Sequence, residues 1–276
     1  MNGLKVAAVQ MDAVLGKPEA NWETAEALVA GAASAGARVV VLPELFATGY
    51  RLDEDYGRYA ETVPGPTTAR LEAWCAGHKL EVVVGTVIEE SSERGQAAAR
   101  GAPRITAVAV GRDGLLGAYG KMNLWDRERL YFEPGSGPVV CSTPVGPIGL
   151  LICYDLGFPE MARSLALLGA DIVCAPAAFG APRLYAWDLS TRSRALENGF
   201  FIIAANRVGQ EKDSVFAGHS RIVAPDGGIL AEIPLGAGAA TAELNLEAIA
   251  TQRAALPYLR DLRPEYLPSA RAKAIR

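Results

Sequence analysis

The chain has 276 residues, 50% of them hydrophobic and 29 of them glycine, which is enough for one large α/β domain or two small ones. A net charge of only −4, from 27 basic and 31 acidic side chains with no Lys/Arg cluster interleaved with aromatics, argues against nucleic acid as a partner. No apolar stretch approaches the roughly 18 residues that span a bilayer, and MNGLKVAAVQMDA enters strand-like sequence without a charged leader, so no membrane partner and a cytoplasmic location are expected.

Short apolar runs then alternate with helical patterns, the mark of βα units. The first half reads as strand Lys5–Gln10, helix Pro18–Ala35, strand Arg38–Leu42, helix Thr67–His78, and strands Glu81–Ile88, Ile105–Val110 and Leu115–Lys121. The second half reads as strand Ile148–Cys153, helix Phe158–Leu168, strand Asp171–Ala175, helix Leu184–Asn198, and strands Phe201–Asn206, Ser220–Ala224, Ile229–Ile233 and Ala240–Leu244. The halves echo each other. GARVVVLPE (36–44) is similar to GADIVCAPA (169–177), and VAVGRDGLLGAYGK (108–121) to RIVAPDGGILAEIP (221–234), a strand, a D-G turn and a second strand. Each half is thus a sheet with helices on it, and stacking the two sheets gives a four-layer α-β-β-α sandwich. No linker rich in Pro, Ser or charge separates the halves, so residues 1–276 are expected to form a single domain, with about 255–276 a C-terminal tail that docks on another surface. The polar segment SSERGQAAARGAPR (91–104) reads as a surface loop.

Cysteines at 75, 141, 153 and 174 show no C-x-x-C pairing, and free thiols are expected in a chain of this size. With two histidines in the chain, a histidine-based nucleophile system must use His78 or His219, and a multi-histidine zinc site is close to excluded. His78 stands at a helix end, where a cation offsets the dipole, and His219 beside a strand. A nucleophile here therefore needs a base other than histidine. Cys75, Cys141 and Cys174 read as small buried residues with no base nearby.

Three reactive groups follow strand-like runs: Glu44 after VVVLP, Lys121 after LLGAYG, and Cys153 after GLLI. Residues just beyond the carboxyl ends of strands line the crevice where α/β sheets bind ligands. Singly, each has an ordinary reading as a loop carboxylate, a solvated lysine and a core thiol. Their contexts decide otherwise. AAVQMDAVLGKPEANW, LPELFATGY, GKMNLWDRERLYFEPG, ICYDLGFPEMARSLALLGAD, RSRALENGFFIIAANRVG and GHSRIVAPDGGIL together resemble, in order and spacing, the nitrilase or carbon–nitrogen hydrolase superfamily, whose members share a Glu-Lys-Cys triad.

The resemblance implies the α-β-β-α fold of that superfamily and a thiol amidase needing no cofactor or metal. Cys153 would attack an amide carbonyl and pass through a thioester, Glu44 would serve as general base, and Lys121 would stabilise the oxyanion. The backbone N–H of Tyr154 would be the second donor, with Tyr50, Gly157 and Ala177 on the substrate side. Glu128, seven residues beyond Lys121, fits the second glutamate that helps position substrate, against a plainer reading as a surface partner of Arg127 or Arg129. Relatives that act on nitriles usually carry Cys-Trp-Glu, so Cys153-Tyr154-Asp155 implies amides, in the manner of bacterial ω-amino-amide and short aliphatic amidases. Three departures bear on the substrate: Gly157 where relatives often have arginine, Asn123 where many have histidine, and the 91–104 loop. Hydrolysis of N-carbamoyl compounds is the alternative, with Arg183 or Arg207 as the carboxylate-binding cation; a nitrilase and a non-catalytic interaction module come after it. Relatives of this kind are homodimers or larger homo-oligomers, which is the expectation here.

Overall fold

Alternation with a period of two, read across several apolar strands at once, places a sheet between two apolar layers. In the computed structural model, which describes residues 3–51, 56–91 and 101–263, this is what the first half does. It runs β1 (Leu4–Gln10), α1 (Pro18–Ser34), β2 (Val39–Val41), α2 (Pro66–His78), β3 (Val82–Glu89), β4 (Arg104–Gly111) and β5 (Gly114–Gly120). The second half runs β6 (Val140–Thr143), β7 (Gly146–Leu150), α3 (Pro159–Leu167), β8 (Ile172–Ala177), α4 (Leu184–Asn198), β9 (Phe201–Asn206), β10 (Val208–Glu211), β11 (Ser214–Ala217), β12 (Ser220–Val223) and β13 (Ile229–Ile233). Then come β14 (Gly238–Leu244) and α5 (Glu247–Ala255).

Among the described residues two six-stranded mixed sheets form, in the orders β14-β1-β2-β3-β4-β5 and β13-β12-β9-β8-β7-β6. Val6, Ala8, Val39, Val41, Val82 and Val84 face the second sheet and share a core with Ile148, Leu150, Ile172 and Ile203. Their neighbours Ala7, Val9, Val40 and Val83 face outward and pack on Trp22, Ala25 and Val29 of α1 and Leu71 and Trp74 of α2. On the second sheet's other face α3 and α4 supply Leu165, Trp187 and Ala195. The result is the four-layer α/β sandwich, and three of its helices start with proline at the first position, where the missing N–H is not needed.

The two sheets share one connectivity. β1, β2 and β3 run parallel, followed by antiparallel β4 and β5, just as β7, β8 and β9 run parallel, followed by antiparallel β12 and β13. Two reversals leave β5 pointing the same way as β2. The carboxyl ends of β2 and β5 in one sheet, and of β7 and β8 in the other, therefore open on the same crevice.

Three differences from the sequence reading have physical causes. The apolar run 148–153 is strand only to Leu150; Leu151 and Ile152 are fully buried loop, and Cys153 begins a 3₁₀ turn. The strand β6 and the β10–β11 hairpin escaped notice because they are short and partly polar, and α5 because it buries little besides Ile249. Most of the 91–104 loop, and the tail from 264 onward, lie outside the described residues. Among the described residues no helix is long and apolar enough to cross a membrane.

Candidate active site

Glu44 follows β2 by three residues, and its placement is fixed from both sides. Its amide donates to the Ala177 carbonyl at the end of β8 (3.3 Å), and the next amide, of Leu45, donates to Thr86 Oγ1 (2.7 Å). Leu45 takes a left-handed conformation (φ 50°) that turns the chain back at that point. Lys121 directly follows β5, with its amide bonded to Ile105 of β4. The two side chains, both fully buried, meet: Lys121 Nζ donates to Glu44 Oε1 at 2.7 Å and to Glu128 Oε1 at 2.7 Å.

Glu128 is buried too, which removes the surface ion pair with Arg127 or Arg129 as its role. Its Oε1 also accepts from the Tyr50 hydroxyl (2.6 Å), and its Oε2 from the Trp125 amide (2.7 Å), so it caps the short 3₁₀ turn that carries it. Glu44 Oε2 accepts from the Ala178 amide (3.1 Å). Every oxygen of the two carboxylates is thereby held, and the ammonium between them keeps a third N–H that neither uses.

Cys153 is brought to this cluster from the other sheet. It too is left-handed (φ 47°), an arrangement that costs a non-glycine residue on the order of 1 kcal/mol and persists where neighbours over-determine it. Asp155 does so. One carboxylate oxygen accepts from Ile152 N (3.1 Å) and Tyr119 Oη (2.8 Å), the other from Asn123 N and Nδ2 (both 2.9 Å). The turn bearing Cys153 is thus clamped to β5 and to the segment after Lys121. The thiol lies close enough to the Glu44 carboxylate and the Ala178 amide for both to act on its proton affinity.

Burial pushes the Cys153 thiol well up and the carboxylate of Glu44 pushes it further, against the opposing ammonium of Lys121. Glu44 is raised by burial, partly offset by Lys121, with Glu128 adding to the rise. Burial alone would lower Lys121, yet Glu44 and Glu128 outweigh it and the ammonium is raised. Two carboxylates, one ammonium and a neutral thiol carry a net charge of about −1, and the surplus sits beside the thiol. Such a site holds a thiol next to a base, ready to transfer its proton. Cys75 and Cys141 are pushed up to about 11 by burial and have no such neighbour.

Cys153 opens on a cavity of about 590 Å³, walled by Tyr50, Trp125, Tyr154, Ala178, Phe179 and Phe216. Tyr154 packs edge-on against Trp125 (4.8 Å) and Phe158 (5.1 Å) and stands in the first turn of the 3₁₀ segment, where amides lack intrahelical acceptors. Gly157 lines the cavity and a Cβ there would meet nothing within 4 Å. Ala177 closes β8 with its carbonyl engaged by Glu44 and Arg207, and it is Ala178 that faces the cavity. Arg183 lines the cavity as well. Arg207 does not. It is fully buried, paired with Glu211 (2.8 Å) and Asp12 (2.9 Å), and so cannot serve as a substrate-binding cation. His219 pairs with Glu232 away from the cavity, and His78 ends α2.

The sequence reading missed Asp155 as the clamp on the Cys153 turn, although it stood inside the quoted ICYD motif. It also missed Ala178 and Asn206, whose side chain bonds both Phe179 N (2.7 Å) and the Gly218 carbonyl (2.6 Å) and so holds the cavity wall. No periodic or charge signal marks residues that act through backbone amides. Among the described residues no group of three or more His, Cys, Asp or Glu side chains is arranged to hold a metal ion.

Residues 5–254 match the family model described as carbon–nitrogen hydrolase. The chain is 38% identical over 231 residues to a protein named nitrilase from Pyrococcus abyssi, covering 82% of this chain and 84% of that one. It is 32% identical over 271 residues to the 2-oxoglutaramate amidase of Bacillus subtilis, covering 94% and 98%. Among solved structures, the carbon–nitrogen hydrolase of Helicobacter pylori G27 superposes with a TM-score of 0.86 at 28% identity, over 95% of this chain and 96% of that one. A glutamate-to-glutamine variant of the amidase from Nesterenkonia sp. AN1, with the acetamide moiety of fluoroacetamide on its active-site cysteine, superposes with a TM-score of 0.82 at 27% identity, over 96% and 95%.

Proposed function

The chain belongs to the carbon–nitrogen hydrolase family and is an enzyme of its amidase type, and from that premise we propose that it hydrolyses the C–N bond of a small primary amide through a thioester on Cys153. One observation carries the reading: a buried ammonium bridges two buried carboxylates, one of them beside a thiol at the floor of a cavity.

The steps follow from the positions. Cys153 Sγ attacks the amide carbon as its proton passes to Glu44. The carbonyl oxygen becomes an oxyanion, held by the remaining N–H of Lys121 and the amide of Tyr154. Each such donor in a dry site is worth on the order of 10²–10³ in rate. Glu44 returns the proton to the amide nitrogen and ammonia departs, leaving the acyl group on sulfur. Water then gives a proton to Glu44 and attacks the thioester; the acid leaves, and the proton returns to the thiolate. Glu44 acts in both halves, which is why a base tied by one oxygen to Lys121 and by the other to Ala178 N suits the task.

Cys153-Tyr154-Asp155 supports amides over nitriles as substrates, while the relatives carry both names, an amidase at 32% and a nitrilase at 38% identity. Ammonium release from a panel of short primary amides, nitriles and N-carbamoyl compounds tests the assignment. Ammonium from amides, without carbon dioxide and abolished in Cys153→Ala, is the expected outcome; turnover surviving in that variant would remove Cys153 as nucleophile.

A further inference from the structure

Asp155 secures the start of the 3₁₀ turn that carries Cys153, and the other end of that turn has needs of its own. A helical turn leaves its last carbonyls without acceptor partners inside the helix. In Cys153–Gly157 the Asp155 carbonyl accepts from Phe158 N (3.0 Å), which leaves those of Leu156 and Gly157. Both are taken by one side chain from another layer. Arg194 of α4 donates from Nε to the Leu156 carbonyl (3.0 Å) and from one terminal nitrogen to the Gly157 carbonyl (3.2 Å). Its remaining nitrogen donates to Ser193 Oγ (3.0 Å) and Glu197 Oε1 (3.2 Å), so all three are engaged, and the side chain is only 12% exposed.

The helix that bears Arg194 is a firm base. It buries Trp187, Thr191, Ala195 and Asn198, and Trp187 Nε1 donates to the His219 carbonyl (2.9 Å) beside β12. A guanidinium is a planar fork that fixes two acceptors at once, which a single ammonium cannot do. Gly157 brings no side chain to anchor the end of the turn, so the task falls to its carbonyl. The two clamps lead to different layers. Asp155 ties the turn to Tyr119 of β5 and to Asn123 after it, on the side of the first sheet, and Arg194 ties it to the helix layer outside the second. Cys153 at φ 47° and Tyr154 lie in the stretch so held, and a non-glycine residue keeps such a conformation only where its surroundings over-determine it.

We propose that Arg194 is a positioning residue for the reaction: from α4 it holds the carboxyl end of the turn, so that Cys153 Sγ and the Tyr154 amide stay in register with Glu44 and Lys121. This rests on the amidase reading above. Arg194 is not among the residues that line the cavity, so it acts through the turn and not on the substrate. Its loss is therefore read in the rate of the chemical step and not in substrate affinity.

The test compares Arg194→Met, which keeps an unbranched stem and loses the fork, with Arg163→Met, whose arginine on α3 bonds the Glu197 carbonyl (2.8 Å) and not the turn. Both should lower the midpoint of urea unfolding. Arg194→Met should lower kcat for primary amides by about 10- to 100-fold with KM little changed, the size expected of a displacement of about 1 Å at the reacting atom. Arg163→Met should keep the wild-type kcat. Arg194→Lys, whose ammonium reaches one carbonyl without forking across two, should recover part of the loss. Alkylation of Cys153 by iodoacetamide, followed by mass spectrometry, needs no turnover, and its rate should fall in the order wild type, Arg194→Lys, Arg194→Met. Wild-type kcat and alkylation rate in Arg194→Met (in Arg194→Lys, if only that variant folds), or equal losses in the Arg194 and Arg163 variants, would overturn the role of Arg194 and leave the amidase reading in place. Failure of the wild type to release ammonium from any amide would overturn the amidase reading, and the alkylation rates would still decide whether Arg194 holds Cys153 in place.

Discussion

A lysine with no solvent contact would lose its proton if it stood alone, because transfer of an isolated ammonium into a protein interior costs several kcal/mol. Lys121 avoids this by sitting 2.7 Å from two carboxylates at once. The pair does more than keep lysine charged. One ammonium is shared at equal distance between two carboxylates, so the charge of Glu44 is only partly matched and Glu44 becomes the stronger base. Its carboxyl is raised by burial, opposed by Lys121, and raised again by Glu128. The proposed mechanism requires Glu44 ionised, so kcat/KM should fall as pH drops through a value above the ordinary glutamate range of about 4.3. Glu128→Gln removes a charge that raises Glu44 and frees Lys121 to bond it more strongly; both effects move the acid limb to lower pH. A pH profile of kcat/KM for the two proteins checks this, and a limb that stays in place or moves upward would contradict it.

At the level of elements, the proposed nucleophile Cys153 depends on a five-residue 3₁₀ turn rather than on a strand end. The sequence could not separate the two, since Leu151 and Ile152 are as apolar and as buried as the strand before them. What distinguishes them is Asp155, a buried carboxylate that gathers donors from Ile152, Tyr119 and Asn123 and holds Cys153 at positive φ. Asn123, a departure from the related pattern, is thereby explained: its backbone and side-chain amides both serve the clamp. Asp155→Ala strands buried donors, each worth about 1–3 kcal/mol, and lets the thiol drift, where a displacement of about 1 Å can cost on the order of 10²-fold in rate. Urea unfolding and kcat, measured together, should both fall. A variant of wild-type stability and wild-type kcat would show that the turn holds its shape without the clamp.

Across the whole molecule, the architecture was legible because it repeats. Two copies of one connectivity place β2 and β8 after helices, and end each half in a hairpin at a D-G turn, and those are the segments whose likeness the sequence displays. The valine-rich strands β2 and β3 lie in the middle of their sheet, buried on both faces. Glu44, Lys121 and Cys153 were legible as residues beyond strand ends, because β2, β5 and β7 all deliver their carboxyl ends to one crevice. Less legible was everything that depends on pairing across the halves. That Arg207 is neutralised by Asp12, nearly two hundred positions earlier, while Arg183 rests on Trp125, follows from the stacking of the sheets and from no local pattern. The hairpin β10–β11, which supplies Phe216 to the cavity wall, carries too few apolar residues to announce itself.

The central claim is that acyl transfer runs through sulfur. Acid-quenching the wild-type enzyme during turnover of a primary amide, followed by mass spectrometry of the peptide containing Cys153, tests it most directly. The account predicts a labile adduct on Cys153 equal in mass to the amide less ammonia, absent in Cys153→Ala and in Glu44→Gln. Full turnover with no adduct at any quench time, or an adduct on another residue, would contradict it.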